Sequence, residues 1–356
     1  MDLVSIILAF AAGIVGTTIG GVQAFVFTGL VGLAGMGVDA VLGPVSAAAG
    51  GSAIPFIGGV PFGFWFHPAM AFLGGAAAAA YARKMGYLES GKAAVGTALA
   101  GLKKPDVLIV GGITGAIGYV TMVLLTGSAF LGLKADGGAT AIFPLSLIIK
   151  AIFDGGSIMG KVPEEIKADG GRFGGTFLAC WAPQQRGGWQ KVVISVGWAL
   201  VSAYATFLLF QFPQTAGYAP FIGFFISATS LLLLLVGMDI PITHHITLPA
   251  GYAVLMLVTA NGGSITGIPV ETALIWGLGI GMAGAFLAEF LADCFYVYGD
   301  VHVDPPAMAI FVASLCTMTL FPAMGLDKAG IVVPLVIVAI CLIVAMLGGS
   351  KKQAVS

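Results

Sequence analysis

The stretch that decides the fold class is GYAPFIGFFISATSLLLLLVG, residues 217–237, which carries no charged side chain. About 20 consecutive apolar residues are enough for one α-helix to span the hydrocarbon core of a bilayer. The run is continuous and does not alternate with polar residues, which argues against a strand of a membrane barrel. The stretch therefore predicts a transmembrane helix.

The composition extends this prediction to the whole chain. Of the 356 residues, 58% are hydrophobic and 9% are charged, and the mean hydropathy is +1.04. A soluble domain carries about 25% charged residues. The 54 glycines also fit a membrane protein, because small residues let helix backbones approach closely in lipid. We therefore expect an all-α integral membrane protein.

Charge and cysteine content exclude several other classes. The net charge of −1 argues against nucleic acid as a partner. The four cysteines are scattered, so neither a disulfide framework nor a zinc finger is expected. The stretch MDLVSIILAFAAG, residues 1–13, has no basic n-region, so we expect a first membrane helix there and no cleaved signal peptide. The expected partners are the lipid bilayer, a small solute or ion, and further copies of the chain in a homo-oligomer.

Apolar runs recur along the chain and predict about eleven transmembrane or half-helix segments. They are residues 3–18, 20–36, 61–83, 106–126, 138–153, 190–211, 217–237, 244–260, 269–292, 305–323 and 330–347. Two breaks between them are very short, GTTIGG at 16–21 and DIPITHH at 239–245. They are either tight hairpins or turns of half-helices inside the membrane, where protein or water must satisfy the freed backbone groups.

Three matches in the same order suggest an internal duplication. Residues 19–29 match 241–251, residues 67–80 match 270–283, and residues 103–115 match 303–315. We therefore predict two five-segment repeats joined by a linker helix. The units are 1–153 (first membrane repeat), 154–189 (polar inner connection), 190–211 (linker helix), 217–347 (second membrane repeat) and 348–356 (cytoplasmic tail).

Lysine and arginine set the expected orientation. They concentrate after the third segment, in the connection 154–189, and at Lys351 and Lys352. The positive-inside rule places these regions and the C-terminus on the cytoplasmic side. This arrangement favours parallel repeats, whereas a break that re-enters the membrane in only one half would make the repeats inverted.

The polar stretch CFYVYGDVHVDPPA, residues 294–307, is a candidate site. Asp300, His302 and Asp304 alternate in it, so three ligands converge if the backbone is extended. Three interpretations stay open. The stretch is an acidic inner loop, a metal site for a divalent cation as cofactor, or a proton relay in which histidine titrates near neutral pH.

Further candidates for a substrate or ion pathway lie in the breaks and in the preceding helix. Placing a charged side chain in contact with lipid costs free energy, so such side chains are expected to face a cavity or water. Glu289 and Asp293 are four residues apart and share a helix face. The full set of pathway candidates is Gln23, Asp239, His244, His245, Glu289 and Asp293.

Three motifs carry a resemblance to a known group of proteins. THHITLPAG, YGDVHVDPPA and PFGFWFHPAMAFLGGAAAAAYA resemble an uncharacterised family of prokaryotic polytopic membrane proteins that are loosely labelled permeases. The resemblance covers most of the chain and implies a multi-pass protein of the prokaryotic plasma (inner) membrane. It implies no established activity or ligand.

The functional prediction is a membrane transport protein, either a secondary transporter or a channel, for a small solute or cation. The His/Asp cluster of the second repeat is its predicted ion or proton site. No Ser/His/Asp or Cys/His arrangement and no HExxH motif is present, so no catalytic residue is predicted. The alternatives are a membrane-embedded metal-dependent enzyme, the membrane subunit of a larger complex, or a structural scaffold.

Overall fold

The computed structural model describes residues 2–48, 55–127, 131–174 and 179–348. Helix makes up 74% of it, and no strand occurs in those ranges. The described helices of at least 11 residues are α1 (Leu3–Ile19), α2 (Gly21–Ala48), α3 (Ala71–Lys84), α4 (Pro105–Thr126), α5 (Gly137–Phe153), α6 (Gly188–Leu209), α7 (Ile222–Leu235), α8 (His244–Ala260), α9 (Val270–Phe295), α10 (Pro305–Leu315) and α11 (Val332–Gly348). A π-helical turn, Cys316–Leu320, and the short helix Phe321–Ala323 continue α10.

The all-α prediction is confirmed, and the helices fit a multi-pass membrane protein. Five of the described helical stretches are long and apolar enough to cross a membrane: Gly21–Val45, Pro105–Thr126, Gly188–Leu209, Val270–Phe295 and Pro305–Ala323. Five shorter ones are also apolar: Leu3–Ile19, Gly137–Phe153, Ala219–Leu235, His244–Ala260 and Val332–Gly348.

Two predicted boundaries differ from the structure. The predicted segment 61–83 consists of a π-helical turn, Val60–Phe64, a break, and then α3. Pro61 and Pro68 lie in this region, and Gly63 has non-helical dihedral angles. Proline removes a backbone donor and clashes with the preceding turn, and together with the non-helical backbone at Gly63 the two prolines accompany the break between Phe64 and Ala71. Helix α2 instead runs on to Ala48, 12 residues past the predicted end at 36.

Both short breaks join separate helices. Gly20 alone separates α1 from α2, and its φ of +99° is a conformation that glycine adopts without strain. The second break runs from the end of α7 at Leu235 to the start of α8 at His244. The predicted helix 244–260 coincides with α8. The predicted tail lies almost wholly outside the described residues, and with it Lys351 and Lys352.

The helices of α1–α5 contact one another in the same pattern as the corresponding helices of α6–α10. In the first set, α1 packs on α3 and α4, and α3 packs on α2, α4 and α5. In the second set, α6 packs on α8 and α9, and α8 packs on α7, α9 and α10. The two sets meet along α2–α7 and α5–α10, while α11 packs outside on α6 and α9.

Glycines of α4 and α9 allow the closest helix contacts. A Cβ at Gly115 or Gly118 of α4 would clash with backbone atoms of α1 or of the turn before α3. A Cβ at Gly281 or Gly284 of α9 would clash with α6 or with the first turn of α8. Small residues at such positions are typical of helix packing in lipid, as the glycine-rich composition predicts.

Candidate functional site

A cavity of about 350 Å³ lies between the two sets of helices. Its wall comes from α2, α3 and α5 of the first set, from α7, α8 and α10 of the second, and from connections between helices. Aromatic rings dominate the wall: Phe25, Phe62, Phe72, Trp181, Phe221, Phe224 and Tyr296. Its ionisable groups also include Asp136, Asp304, His67, His244 and His302. The cavity is therefore mainly apolar with a few polar groups, which is typical of a small-molecule site.

Asp136 forms the N-cap of α5 and faces the cavity. Its Oδ1 accepts a hydrogen bond from the Ala139 backbone N–H at 2.6 Å. The Tyr252 hydroxyl donates to its Oδ2. Burial raises the pKa of Asp136, and these hydrogen bonds oppose that shift. The carboxyl group thus caps one helix and is anchored to α8 from the other set.

Asp304 forms the N-cap of α10 at the same cavity. Its Oδ2 accepts a hydrogen bond from the Ala307 backbone N–H at 2.8 Å, and its Oδ1 lies 3.3 Å from Nε2 of His302. Pro305 and Pro306 occupy the first two helical positions, where the missing N–H groups cost nothing. The sequence DPP therefore starts a helix at the cavity wall.

His244 and His245 begin α8 and are both buried. His244 lines the cavity, its ring is 4.9 Å from that of Phe25, and its Nδ1 has no hydrogen-bond partner within the described chain. His245 faces Trp181, with ring centroids 5.5 Å apart, and neither of its nitrogens has a partner there. Of the two predicted pathway histidines, the structure places His244 at the cavity.

The three predicted metal ligands do not converge. Asp300 forms an ion pair with Arg83 at 3.0 Å and accepts a hydrogen bond from the Ser90 hydroxyl, whereas His302 and Asp304 face the cavity. Within the described ranges, no group of three His, Cys, Asp or Glu side chains could hold a metal ion. The metal site stays a prediction that this geometry does not support.

Glu289 and Asp293 pair with two basic residues that precede or begin α6. Arg186 donates to Asp293 at 2.9 and 3.2 Å and lies 3.3 Å from Glu289, which also pairs with Lys191. Burial disfavours the charged form of Arg186, but Asp293 and Glu289 outweigh it and raise its pKa. Neither acid lines the cavity, so these two pathway candidates form a structural ion-pair network.

The remaining pathway candidates also lie outside the cavity wall. The Gln23 amide donates to the Gly96 carbonyl oxygen at 2.6 Å and fastens α2 to the connection after α3. Asp239 is exposed in the loop before α8. Neither position carries a contact that points to a solute.

The connection after α3, the end of α5 and the stretch 296–304 meet at one end of the helices through buried or partly buried lysines. Lys150 donates to the carbonyl oxygens of Phe295 and Tyr298 at 2.6 Å each. Lys92 donates to the Val297 carbonyl oxygen at 2.9 Å. Burial lowers the pKa of Lys92, and the charge of Asp300 opposes this. The stretch 296–304 is thereby tied to the connection after α3 and to the end of α5.

Sequence reasoning missed Asp136, which lines the cavity, and Tyr252, which donates a hydrogen bond to it. Asp136 precedes Gly137 and an apolar run, and aspartate before such a run is an N-cap signature. That signal identifies the helix start and says nothing about what the cap faces. Tyr252 lies in an apolar stretch, and only the fold brings it to Asp136.

Apolar helices that fit a multi-pass membrane protein thus surround a cavity with aromatic rings in its wall. The chain belongs to a family of unknown function, DUF7973, whose model matches residues 1–336. No curated protein and no solved structure matches the chain.

Proposed function

We propose that the protein is a membrane transporter of a small solute and that the cavity is its solute site. The observation that carries this proposal is the repeated packing order of α1–α5 and α6–α10 around one cavity. Secondary transporters commonly consist of two structural repeats with the site where the repeats meet. The proposed equivalents are α1 and α6, α2 and α7, α3 and α8, α4 and α9, and α5 and α10.

The glycines of α4 and α9 support this pairing residue by residue. Gly111, Gly115 and Gly118 have the same spacing as Gly277, Gly281 and Gly284. The first two of each trio pack on the first helix of their set, at Thr17 and Gly13 or at Ala203 and Ala199. The third approaches a carbonyl oxygen at the start of the third helix, that of Ala69 or His245.

Equivalent residues that touch each other indicate a pseudo-two-fold axis. Aligning α5 with α10 at their capping aspartates pairs Phe143 with Phe311, whose ring centroids are 5.9 Å apart. The rings of Phe25 in α2 and Phe224 in α7 are 5.3 Å apart. A residue can touch its own equivalent only next to the axis. The equivalent residues of α5 and α10 at the cavity wall are Asp136 and Asp304, Ala139 and Ala307, and Ile142 and Ile310.

The proposed repeats are inverted. Each set has five helices, and five crossings of the membrane are an odd number, so the second set starts on the opposite side from the first. This pairing differs from the sequence prediction of parallel repeats, because residues 190–211 become the first helix of the second repeat. Helix α11 is then the additional element. About eleven crossings still follow, and the C-terminus stays on the side of the connection after α3.

The lysine and arginine distribution supports an inner, cytoplasmic location for that side. Arg83, Lys84, Lys103 and Lys104 lie at the same end of the helices as the connection 154–187, because both approach the stretch 296–304. Basic residues concentrate on the cytoplasmic side of membrane proteins. We propose the plasma membrane of a prokaryote as the location.

Access to the cavity from both sides of the membrane tests this function. Cys180, Cys294, Cys316 and Cys341 are first replaced by alanine, and Ala307→Cys is introduced at the cavity wall. A charged, impermeant thiol reagent is then applied to right-side-out and to inside-out vesicles. A transporter that alternates its access exposes the same thiol to both faces, and labelling from both is the expected result.

The control is Ala199→Cys, because Ala199 is fully buried between helices and lies outside the cavity wall. It should react from neither face. If the cavity thiol reacts from one face only, the transport proposal is overturned and a one-sided enzyme pocket becomes the better explanation. Labelling from neither face overturns it in favour of a structural role.

A further inference from the structure

The charged groups at the cavity wall all have one sign. Among the described residues that line it, the acids are Asp136 and Asp304, and none is lysine or arginine. A solute that carries a carboxylate or phosphate would therefore meet no cationic side chain. In a site of low dielectric constant such an unpaired charge is costly.

Two helix starts reach the cavity, and both are already capped by the chain itself. The N-terminus of a helix attracts anions because its first N–H groups point outward. At α5 and α10 the Ala139 and Ala307 N–H groups donate to Asp136 and Asp304. The carboxylates thus occupy the places where an anionic solute would bind.

An unpaired nitrogen on His244 points independently to a ligand. The residue is 5% exposed, it lines the cavity, and its Nδ1 has no partner within the described chain. Leaving a buried polar group unsatisfied costs about 1–3 kcal/mol. In the tautomer with the proton on Nε2, an N–H group of a bound solute satisfies Nδ1. The same solute lies against Phe25 and Phe224, the rings next to His244.

We infer that the cavity binds a small organic ammonium ion that has at least one N–H donor and a compact apolar body. This inference rests on the proposed function and adds the substrate class. The Asp304 carboxylate, at the start of α10, balances the positive charge, the rings contribute cation–π attraction, and His244 accepts the N–H. The volume of about 350 Å³ is at the small end for ligand pockets and suits one ring or a short aliphatic chain.

Four probes of similar shape separate charge from hydrogen bonding. Benzylammonium has a cation and N–H groups, benzyltrimethylammonium has a cation only, benzyl alcohol is neutral, and benzoate is an anion. Binding of each to the detergent-purified full chain is measured by calorimetry. Benzylammonium should bind most tightly and benzoate most weakly. Benzyltrimethylammonium should bind less tightly than benzylammonium because it offers nothing to His244.

The matched variants remove charge and keep the helix caps, because asparagine caps as well as aspartate. Asp304→Asn should weaken benzylammonium binding by about tenfold, as expected for one charge-assisted contact. Asp136→Asn should weaken it less, because Asp136 lies beside Ser314 at the other end of α10. Asp2→Asn changes the cap of α1, distant from the cavity wall, and should leave binding unchanged. Far-ultraviolet circular dichroism checks that each variant keeps its helix content.

Three results overturn the inference. They are benzoate or benzyl alcohol binding as tightly as benzylammonium, unchanged benzylammonium binding in Asp304→Asn, and no binding of any probe at millimolar concentration. The thiol-labelling experiment uses no solute, so transport stands if labelling succeeds and the ammonium ion fails. If labelling fails while benzylammonium binds, the cavity is a binding site without a transport role.

Discussion

Arg186 donates two hydrogen bonds to Asp293, at 2.9 and 3.2 Å, although the two residues are 107 positions apart in the chain. Both side chains are buried, and the pair fastens the connection 154–187 to the last turns of α9. A buried ion pair contributes little compared with apolar residues of the same shape, but removing one partner leaves an uncompensated charge.

We therefore expect Arg186→Met to destabilise the folded protein by about 3–5 kcal/mol. The double variant Arg186→Met/Asp293→Leu should recover a large part of that loss. Unfolding in detergent, followed by circular dichroism, measures both. Lys167→Met is the control, because Lys167 pairs with Glu164 on the exposed surface and such pairs contribute about 0–1 kcal/mol. Equal stability of Arg186→Met and Lys167→Met would contradict the prediction.

Gly284→Ala should destabilise the protein, because the added methyl group would collide with the His245 carbonyl oxygen at the start of α8. Gly118→Ala should do the same at Ala69. Forcing atoms into a packed contact costs about 1–3 kcal/mol. Gly197→Ala in α6 is the matched control, since nothing lies within 4 Å of an added Cβ there. It should stabilise the helix by up to about 1 kcal/mol, so the melting temperatures should shift in opposite directions.

The cavity aspartate Asp136 should make stability depend on pH. Burial raises its pKa in the folded protein above the ordinary 3.8, so its charged form penalises folding and protonation relieves that penalty. As pH falls from about 7 to about 4, the melting temperature of the wild type should rise relative to Asp136→Asn.

Asp2 is also an N-cap, but its pKa is shifted in the opposite direction from that of Asp136. The Ser5 backbone N–H and hydroxyl lower its pKa, so its stabilising contribution is lost as pH falls. Between pH 7 and pH 4 the wild type and Asp2→Asn should therefore melt alike, and the wild type should lose melting temperature relative to Asp2→Asn only as pH falls below the ordinary 3.8. The difference in melting temperature between wild type and variant is compared for Asp136→Asn and for Asp2→Asn. If both differences changed with pH in the same way, burial would not explain the behaviour of Asp136.

Metal content tests the sequence prediction for Asp300, His302 and Asp304 directly. Because Asp300 is paired with Arg83 and does not join the other two, we expect purified, tag-free protein to hold no stoichiometric divalent metal. Elemental mass spectrometry on wild type and His302→Ala/Asp304→Ala measures it. Near-stoichiometric metal that the double variant loses would restore the predicted ligand cluster.

The helices were predictable because hydropathy and length alone specify an apolar span. Residues 244–260 form the predicted helix with the predicted bounds, and DPP at 304–306 begins a helix as its residues dictate. The break at Gly63 to Pro68 was harder to predict, since a hydropathy window averages over single prolines.

The site was predictable only in part. His244, His302 and Asp304 are local polar residues in apolar surroundings, and the cavity contains all three. Asp136 reaches the same cavity because α5 packs on α10, a contact that no local pattern encodes. Glu289 and Asp293 were predicted as pathway residues, but the sequence alone did not show that they have ion-pair partners. Their neutralising partners, Lys191 and Arg186, lie about 100 residues away in the chain, as their ion pairs show.

The matched packing of α1–α5 and α6–α10 has a consequence for the history of the chain. If the proposed repeats arose from a shorter ancestor with five helices that paired with itself across an axis near Phe143 and Phe311, its copies had to insert into the bilayer in opposite orientations. Such an ancestor could carry little lysine or arginine bias, because that bias fixes a single orientation. Under that proposal, fusing two copies into one chain would remove this restriction. Lys103 and Lys104, which precede α4, have no basic counterpart before α9, as expected once each half needed only one orientation.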